Sequence, residues 1–478
     1  MANGGIIGTV NNPTSTTATG VWQQEEQYEA KVTGTWPQRA LFTTKSARFN
    51  TASTDYLQRN MSNTGNLQAW TVSTWVKRST LSGQHMLFAS YADSNNSTEC
   101  FFEGNGSLNF RDNESGSFVF QKKTTQLFQD TSAWYHLVMS SSAGAQKIYV
   151  NGVEVTSFAE NNNGSGTSTW NGPYSHSIGA NVNGGSDKLG GYLSELISVD
   201  GQTLTPSSFG VANSDGVWTP IPYTGTFGTN GFKLQFENAA ALGTDSSSNG
   251  LNFTANNLTS IDQTTDYPEN NFATINPLDN FYANATFSEG NTQIVTGSGR
   301  EASSSSTIYL TKGKWYWETK FLSSSAPFVG IQPIPSFGNS ASAAVLQLHG
   351  LGLLKTGKVE TTNGSGGSTV LASYATFTTN DIIGVALDLD ANKIYFYKNG
   401  SILGASGVSV TAPASTRDGH YMVAVGAIAG QDTISVNFGN PSFAISSGNA
   451  DGNGYGNFEY AVPSGYYSLN TKNLGEFG

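Results

Sequence analysis

The chain has 478 residues, enough for roughly three domains at about 150 residues each. Charged residues are only 12% of it, and 23 Lys and Arg against 34 Asp and Glu leave a net charge of −11. Scattered basic residues on an acidic chain exclude a phosphate-binding surface and disfavour anionic membranes.

Polarity comes instead from Asn, Ser and Thr, with 55 Gly and 12% aromatics. That is the composition of many short strands joined by turns, not of a disordered tract. Residues 1–40 break this pattern. Within them, residues 21–32 combine strong helix formers, early acidic residues, Lys31 late and Gly34 as a stop, which predicts a short helix. A helix this short is marginal alone. Trp22, Tyr28, Val32 and Trp36 therefore need a partner surface, either this protein's own first domain or another protein. The start, Met1 to Gly8, has no basic region and no long apolar run, so no secretory signal is expected. No segment approaches the roughly 20 apolar residues of a membrane-spanning helix.

Residues 41–222 predict a jelly-roll. Strands are expected over 47–49, 70–77, 85–91, 99–103, 107–110, 118–121, 134–140, 147–150, 175–178 and 191–199, with turn residues between them. In the second of these, Trp70, Val72, Thr74 and Val76 share one face and Trp75 takes the other. Lys147-Ile148-Tyr149-Val150 runs into Asn151-Gly152, which suits the positive φ angles of a type I′ hairpin. Cys100 is the single cysteine; it excludes an intrachain disulfide and reads as a buried hydrophobe. The loop Trp170-Asn171-Gly172-Pro173-Tyr174 is the candidate ligand loop. Trp170 and Tyr174 offer faces for sugar CH groups and Asn171 an amide for hydroxyls. The same loop could instead pack on its own sandwich or on a neighbouring subunit.

Trp70 through Lys77, Trp134-Tyr135-His136-Leu137-Val138, Lys147 through Gly152 and Gly191-Tyr192-Leu193-Ser194-Glu195-Leu196-Ile197 together resemble the laminin-G-like, concanavalin A-like lectin family. The resemblance implies a sandwich whose relatives bind sugars or proteins. Some such modules bind calcium through loop oxygens where Asp93-Ser94-Asn95-Asn96 stands here.

Residues 223–285 read as an ordered connector that hydrogen-bonds along a domain surface, because a structureless loop of that length is uncommon in a compact domain. Residues 286–470 predict a second sandwich, and 471–478 a tail. Lys314-Trp315-Tyr316-Trp317-Glu318-Thr319-Lys320-Phe321, Phe328-Val329-Gly330-Ile331 and the run from Asp381 to the Asn399-Gly400 hairpin resemble the SPRY family, which implies a recognition module with partner-binding loops. The fold class is therefore all-β, two tandem β-sandwiches behind a short arm.

Chemistry-bearing patterns are weak. Asp388-Leu389-Asp390 opens like a calcium loop but continues into a strand without the glycine and terminal glutamate. Glu195 and Asp200 are five apart and in a regular strand would project to opposite faces, which does not suit paired-carboxylate hydrolysis. The five histidines show no zinc spacing, and neither G-x-S-x-G nor a P-loop occurs. No catalytic, cofactor or metal residue is assigned, and the protein is not expected to be an enzyme.

The arm with Trp22 and Trp36-Pro37, the Asn/Thr-rich connector and the closing segment from Asp451 to Leu474 resemble virion structural proteins of tailed, marine-type bacteriophages. That resemblance implies a tail-fibre or receptor-binding adhesin, or alternatively a capsid decoration or head-fibre protein. It implies assembly in the host cytoplasm, exposure on the virion surface, attachment to other virion proteins through the arm, and a homo-oligomer, a trimer by analogy with fibres. A host-surface glycan or protein is the expected ligand; nucleic acid and membrane insertion are not expected.

Overall fold

The computed structural model describes residues 30, 43–143, 145–164, 167–181, 186–213, 215–280, 285–297, 302–333, 350–362 and 367–478. Trp22, Tyr28, Val32 and Trp36 lie outside the described residues, as does the predicted helix over 21–32 except for Ala30, which is helical.

Turn chemistry sets the strand pairs. Asn151 and Gly152 take φ of 47° and 84°, and Asn399 and Gly400 take 48° and 80°, the left-handed geometry that a type I′ turn demands. Each turn is braced from outside: Asn151 Oδ1 accepts from the His136 N–H at 2.8 Å, and Asn399 Oδ1 from the Ile382 N–H at 2.9 Å.

The first sandwich packs two sheets. One runs in the order Val153–Glu154, Lys147–Val150, Trp134–Ser141, Trp70–Arg78, Gly191–Asp200, Ser46–Phe49, Gln263–Thr264, with Phe232–Leu234 also on Gly191–Asp200. The other runs Phe158–Asn162, Ser117–Leu127, Ser107–Glu114, Asn96–Phe102, His85–Asp93, Ser175–Ile178, Tyr56–Asn60, Thr254–Asn256. Trp70, Phe88, Phe110 and Trp170 meet at the centre of the core between them. The second sandwich repeats the arrangement. Lys314–Phe321, Ile382–Asp388 and Thr433–Asn437 are the middle of one sheet; Met422–Ala427, Pro327–Gln332 and Leu351–Leu354 are the middle of the other. Trp315, Trp317, Phe396 and Phe438 fill its core. The all-β, tandem-sandwich expectation holds.

Three strands from the stretch read as a connector complete the first sandwich: Phe232–Leu234 and Gln263–Thr264 in one sheet, Thr254–Asn256 at the edge of the other. On the outer face of the first sheet Gln202 and Leu204 meet Thr71, Trp218 packs near Trp75, and Asp266, Asn271 and Phe272 meet Lys77. Every residue of Trp70–Arg78 is buried. Trp70, Val72 and Val76 face the core, as alternation requires, while Trp75 packs with Trp134, Tyr192 and Trp218 on the opposite side.

Two cations hold this outer face against what lies over it. Arg48 is fully buried; its Nη1 donates to the Pro441 carbonyl at 3.0 Å and its Nη2 to the Ile261 carbonyl at 2.9 Å, and Glu289 lies 3.4 Å from Nε. Lys77 is likewise buried against Asp266 at 2.7 Å. The Tyr192 hydroxyl donates to the Gly290 carbonyl at 2.8 Å. Strands of the first sandwich, the connector and the loop at 439–441 thus meet in one buried polar layer. Residues 43–478 are accordingly one contact unit.

Candidate functional site

The structure buries Trp170 and Asn171, two of the residues expected as ligand contacts. Trp170 is fully buried, with Phe88 and His176 rings each under 5 Å away. Its Nε1 donates to Ser198 Oγ at 3.0 Å. A ring enclosed on both sides offers no face to a sugar. Asn171, 1% exposed, donates to Asp200 Oδ1 at 3.1 Å and to the Asn66 carbonyl at 3.2 Å. Its φ of 70° is the turn that brings the chain back toward Tyr174. The reason for the correction is local: the largest side chain of the loop turns inward and packs among Trp70, Phe88, His176 and Phe232.

Tyr174, half-buried, is the part of the predicted loop that stays near solvent. Its carbonyl accepts from the Met61 N–H at 2.9 Å, which lays it against the end of strand Tyr56–Asn60. That strand and Thr254–Asn256 form the sheet edge, paired Gln58 to Thr254 and Tyr56 to Asn256. These two strands and Asn252 line an open cleft of about 370 Å³ through Gln58, Arg59, Asn60, Asn252, Thr254 and Asn256. Every lining residue carries a hydrogen-bonding side chain, and only Arg59 is charged. Arg59 Nη1 donates to the Asn252 carbonyl at 2.7 Å, which holds the guanidinium in the cleft. Its Nε is buried with no hydrogen-bond partner among the described residues. The cleft is within the size range of small-ligand sites. Sequence reading missed it because its two strands are about two hundred residues apart and carry no motif.

The titratable groups singled out from sequence serve the fold. Burial holds the His136 imidazole down near pKa about 3. Its Nδ1 accepts from Trp218 Nε1 at 2.9 Å, so Nε2 carries the proton toward Ser73 Oγ at 2.8 Å. Burial likewise pushes His176 down to about 4. Glu195 sits at a bulge in Gly191–Asp200 with φ of 49°, so a five-residue count no longer decides which face it and Asp200 take. Burial raises its carboxyl to about 7, and Lys233 Nζ, 3.3 Å away, opposes that shift. Asp200 accepts from the backbone N–H groups of Asn66 and Asn230.

Glu318, also pushed up to about 7 by burial, accepts from the backbone N–H groups of Glu459 and Tyr460 at 2.9 and 2.8 Å. Asp93 caps its own turn through the Asn95 N–H and the Asn96 amide. Asp388 accepts from the Ala391 N–H in a tight turn and pairs with Lys314 at 3.0 Å. Each of these carboxylates is committed to holding backbone or pairing a lysine.

Comparison with known proteins places two domains on this frame. Residues 51–208 match the family model of the concanavalin A-like lectin/glucanases superfamily, and residues 314–441 match that of the SPRY domain. No curated protein matches the sequence. Among solved structures, the SPRY domain of human HERC1 aligns at 15% identity and TM-score 0.27, covering 34% of this chain and 96% of that one. A Bacteroides ovatus protein described as carbohydrate binding aligns at 14% identity and TM-score 0.34, covering 46% and 60%. Domains LG4-5 of the mouse laminin alpha1 chain align at 9% identity and TM-score 0.30, covering 91% and 90%. Superpositions at these scores carry no argument; the domain assignments rest on the family matches. The chain therefore carries a concanavalin A-like lectin-type domain followed by a SPRY domain, two kinds of module that typically bind rather than catalyse.

Proposed function

We propose that the protein is a non-enzymatic recognition protein of a tailed-phage virion, an adhesin of tail-fibre or receptor-binding type. Its ligand is a host-surface glycan, engaged at the cleft on strands Tyr56–Asn60 and Thr254–Asn256. The observation that carries the binding site is the lining: amides, a threonine hydroxyl and one guanidinium, the donors and acceptors that sugar hydroxyls exchange for water. A fused pair of binding-type domains supports a display role. The phage assignment rests on the sequence resemblance of the arm, connector and closing segment.

The arm, residues 1–40, is the element that joins other virion proteins, with Trp22, Tyr28, Val32 and Trp36 as its contacts. It also holds copies together, as a trimer. The capsid-decoration reading is favoured by one feature, the low-charge Asn/Ser/Thr surface, which packs against neighbours at small desolvation cost.

The test is a glycan array probed with the full-length chain and with Arg59→Ala and Asn60→Ala variants. Glycan binding weakened by both substitutions supports the reading. Folded protein that binds no glycan sinks the adhesin role, and electron cryo-microscopy of the virion separates tail from capsid. A chain starting near residue 41 should fold and fail to join particles; normal incorporation would remove the arm's assigned role.

A further inference from the structure

Buried Lys77 and Asp266 and half-buried Asn271 share one site between the first sandwich and the segment leading into the second. Lys77 Nζ lies 2.7 Å from Asp266 Oδ2, 2.7 Å from Asn271 Oδ1 and 3.2 Å from the Phe272 carbonyl oxygen. Lys77 and Asp266 are both 0% exposed. The reacting groups are held from behind. Trp134 Nε1 donates to Asp266 Oδ1 at 2.9 Å, and Asn271 Nδ2 donates to the Ser132 carbonyl at 2.6 Å. The Tyr192 ring centre is 5.5 Å from Nζ.

Three acceptors satisfy a buried ammonium, and an ion pair alone would account for that. The site holds something further: an amine, a carboxamide and a carboxylate, each within hydrogen-bond distance of Nζ and fixed in orientation. Fixing reactants in contact converts a bimolecular step into a unimolecular one.

We propose that Lys77 and Asn271 become joined by an isopeptide bond, with Asp266 carrying the protons. The Lys77 ammonium passes one proton to Asp266 Oδ2. The lone pair freed on Nζ attacks Asn271 Cγ, and Asp266 protonates the oxygen as charge develops on Oδ1. The carboxylate then takes the remaining surplus proton from Nζ while the proton on Oδ1 returns to the leaving nitrogen. The Cγ–Nδ2 bond breaks. The Nζ–Cγ bond replaces it, and the nitrogen leaves as ammonium with Asp266 again a carboxylate. No electrons are transferred and no co-reactant is consumed. Lys122 supplies the contrast. Its Nζ is 2.6 Å from Asn161 Oδ1, but Asn161 is exposed and the ion pairs among the described residues include none on Lys122. With its amide in solvent and no carboxylate within ion-pair distance among the described residues, that pair is not expected to react.

The bond would tie strand Trp70–Arg78 to the chain segment entering the second sandwich, across the join that a pulling force would load. Intact mass spectrometry of the denatured full-length chain tests it. The expected mass is the sequence mass less one ammonia, with a branched peptide joining Lys77 to Asn271 after digestion. Lys77→Arg and Asp266→Asn should each restore the full mass, the second while leaving amine and amide in place. Wild-type chain at full sequence mass overturns the proposal, whatever the variants do. So does an ammonia deficit that persists in Lys77→Arg and maps to Asn151-Gly152, where a succinimide would have the same mass.

Discussion

At the residue scale, the aromatic and titratable side chains that stand out in sequence prove to be internal supports. Trp170 is the plainest case. It looks like a sugar platform because a Trp beside Asn, Gly and Pro suggests an exposed loop, yet it packs inside the core. Trp170→Ala should destabilise the protein by about 3–5 kcal/mol, the range for emptying a buried aromatic site, as read by chemical denaturation. It should not act through glycan affinity alone. Glu318 makes a second test. Glu318→Ala leaves the Glu459 and Tyr460 N–H groups without their acceptor, at about 1–3 kcal/mol for each buried donor. Hydrogen exchange at those two amides should accelerate. The buried histidines predict a pH dependence. Their folded pKa values, about 3 for His136 and about 4 for His176, lie below the unfolded value of about 6.5. The unfolded chain therefore binds more protons in that window, and stability is full above about 6.5 and falls as pH drops from there toward the folded values. In His136→Gln the slope of melting temperature against pH over that window should be shallower than in the wild type. An unchanged slope would show that other groups set the acid limb.

At the element scale, the hairpins were legible and the sheet edges were not. Asn151-Gly152 and Asn399-Gly400 announce their turns because the dipeptide and the required backbone conformation are inseparable. The additions from residues 223–285 are short strands of three residues or fewer with no period to detect. They are strands because neighbouring strands of the sheets offer them backbone partners. The candidate cleft exists only through one of them, Thr254–Asn256. At the same scale, Gly290 shows how closely the layers meet. With φ of 64° and a would-be Cβ 2.0 Å from the Tyr192 hydroxyl, Gly290→Ala combines backbone strain with a clash. It should lower the melting temperature by several degrees, consistent with a cost of about 1–3 kcal/mol. The companion Tyr192→Phe should relieve part of that clash.

For the whole molecule, the decisive feature is the buried polar layer between the sandwiches. Arg48 alone reaches the connector at Ile261 and the second sandwich's side at Pro441. Calorimetry of the wild type should therefore show one cooperative transition. Arg48→Ala, which leaves the Ile261 and Pro441 carbonyls without their donor, should cost about 1–3 kcal/mol for each group left unsatisfied and split that transition in two. One transition in both proteins would mean that the apolar contacts suffice. Composition, alternation and Asn-Gly turns by themselves determined an all-β chain of two sandwiches, because strand period and turn conformation are local properties carried by neighbouring residues. The same local logic separated the core face of Trp70–Arg78 from Trp75. It could not show that the second face is buried as well, that Arg48 and Lys77 lie inside, or that Asp266 and Asn271 meet Lys77 nearly two hundred residues away. Those are pairings between segments distant in sequence, chosen by the shape and hydrogen-bonding needs of surfaces that exist only after both sandwiches have formed.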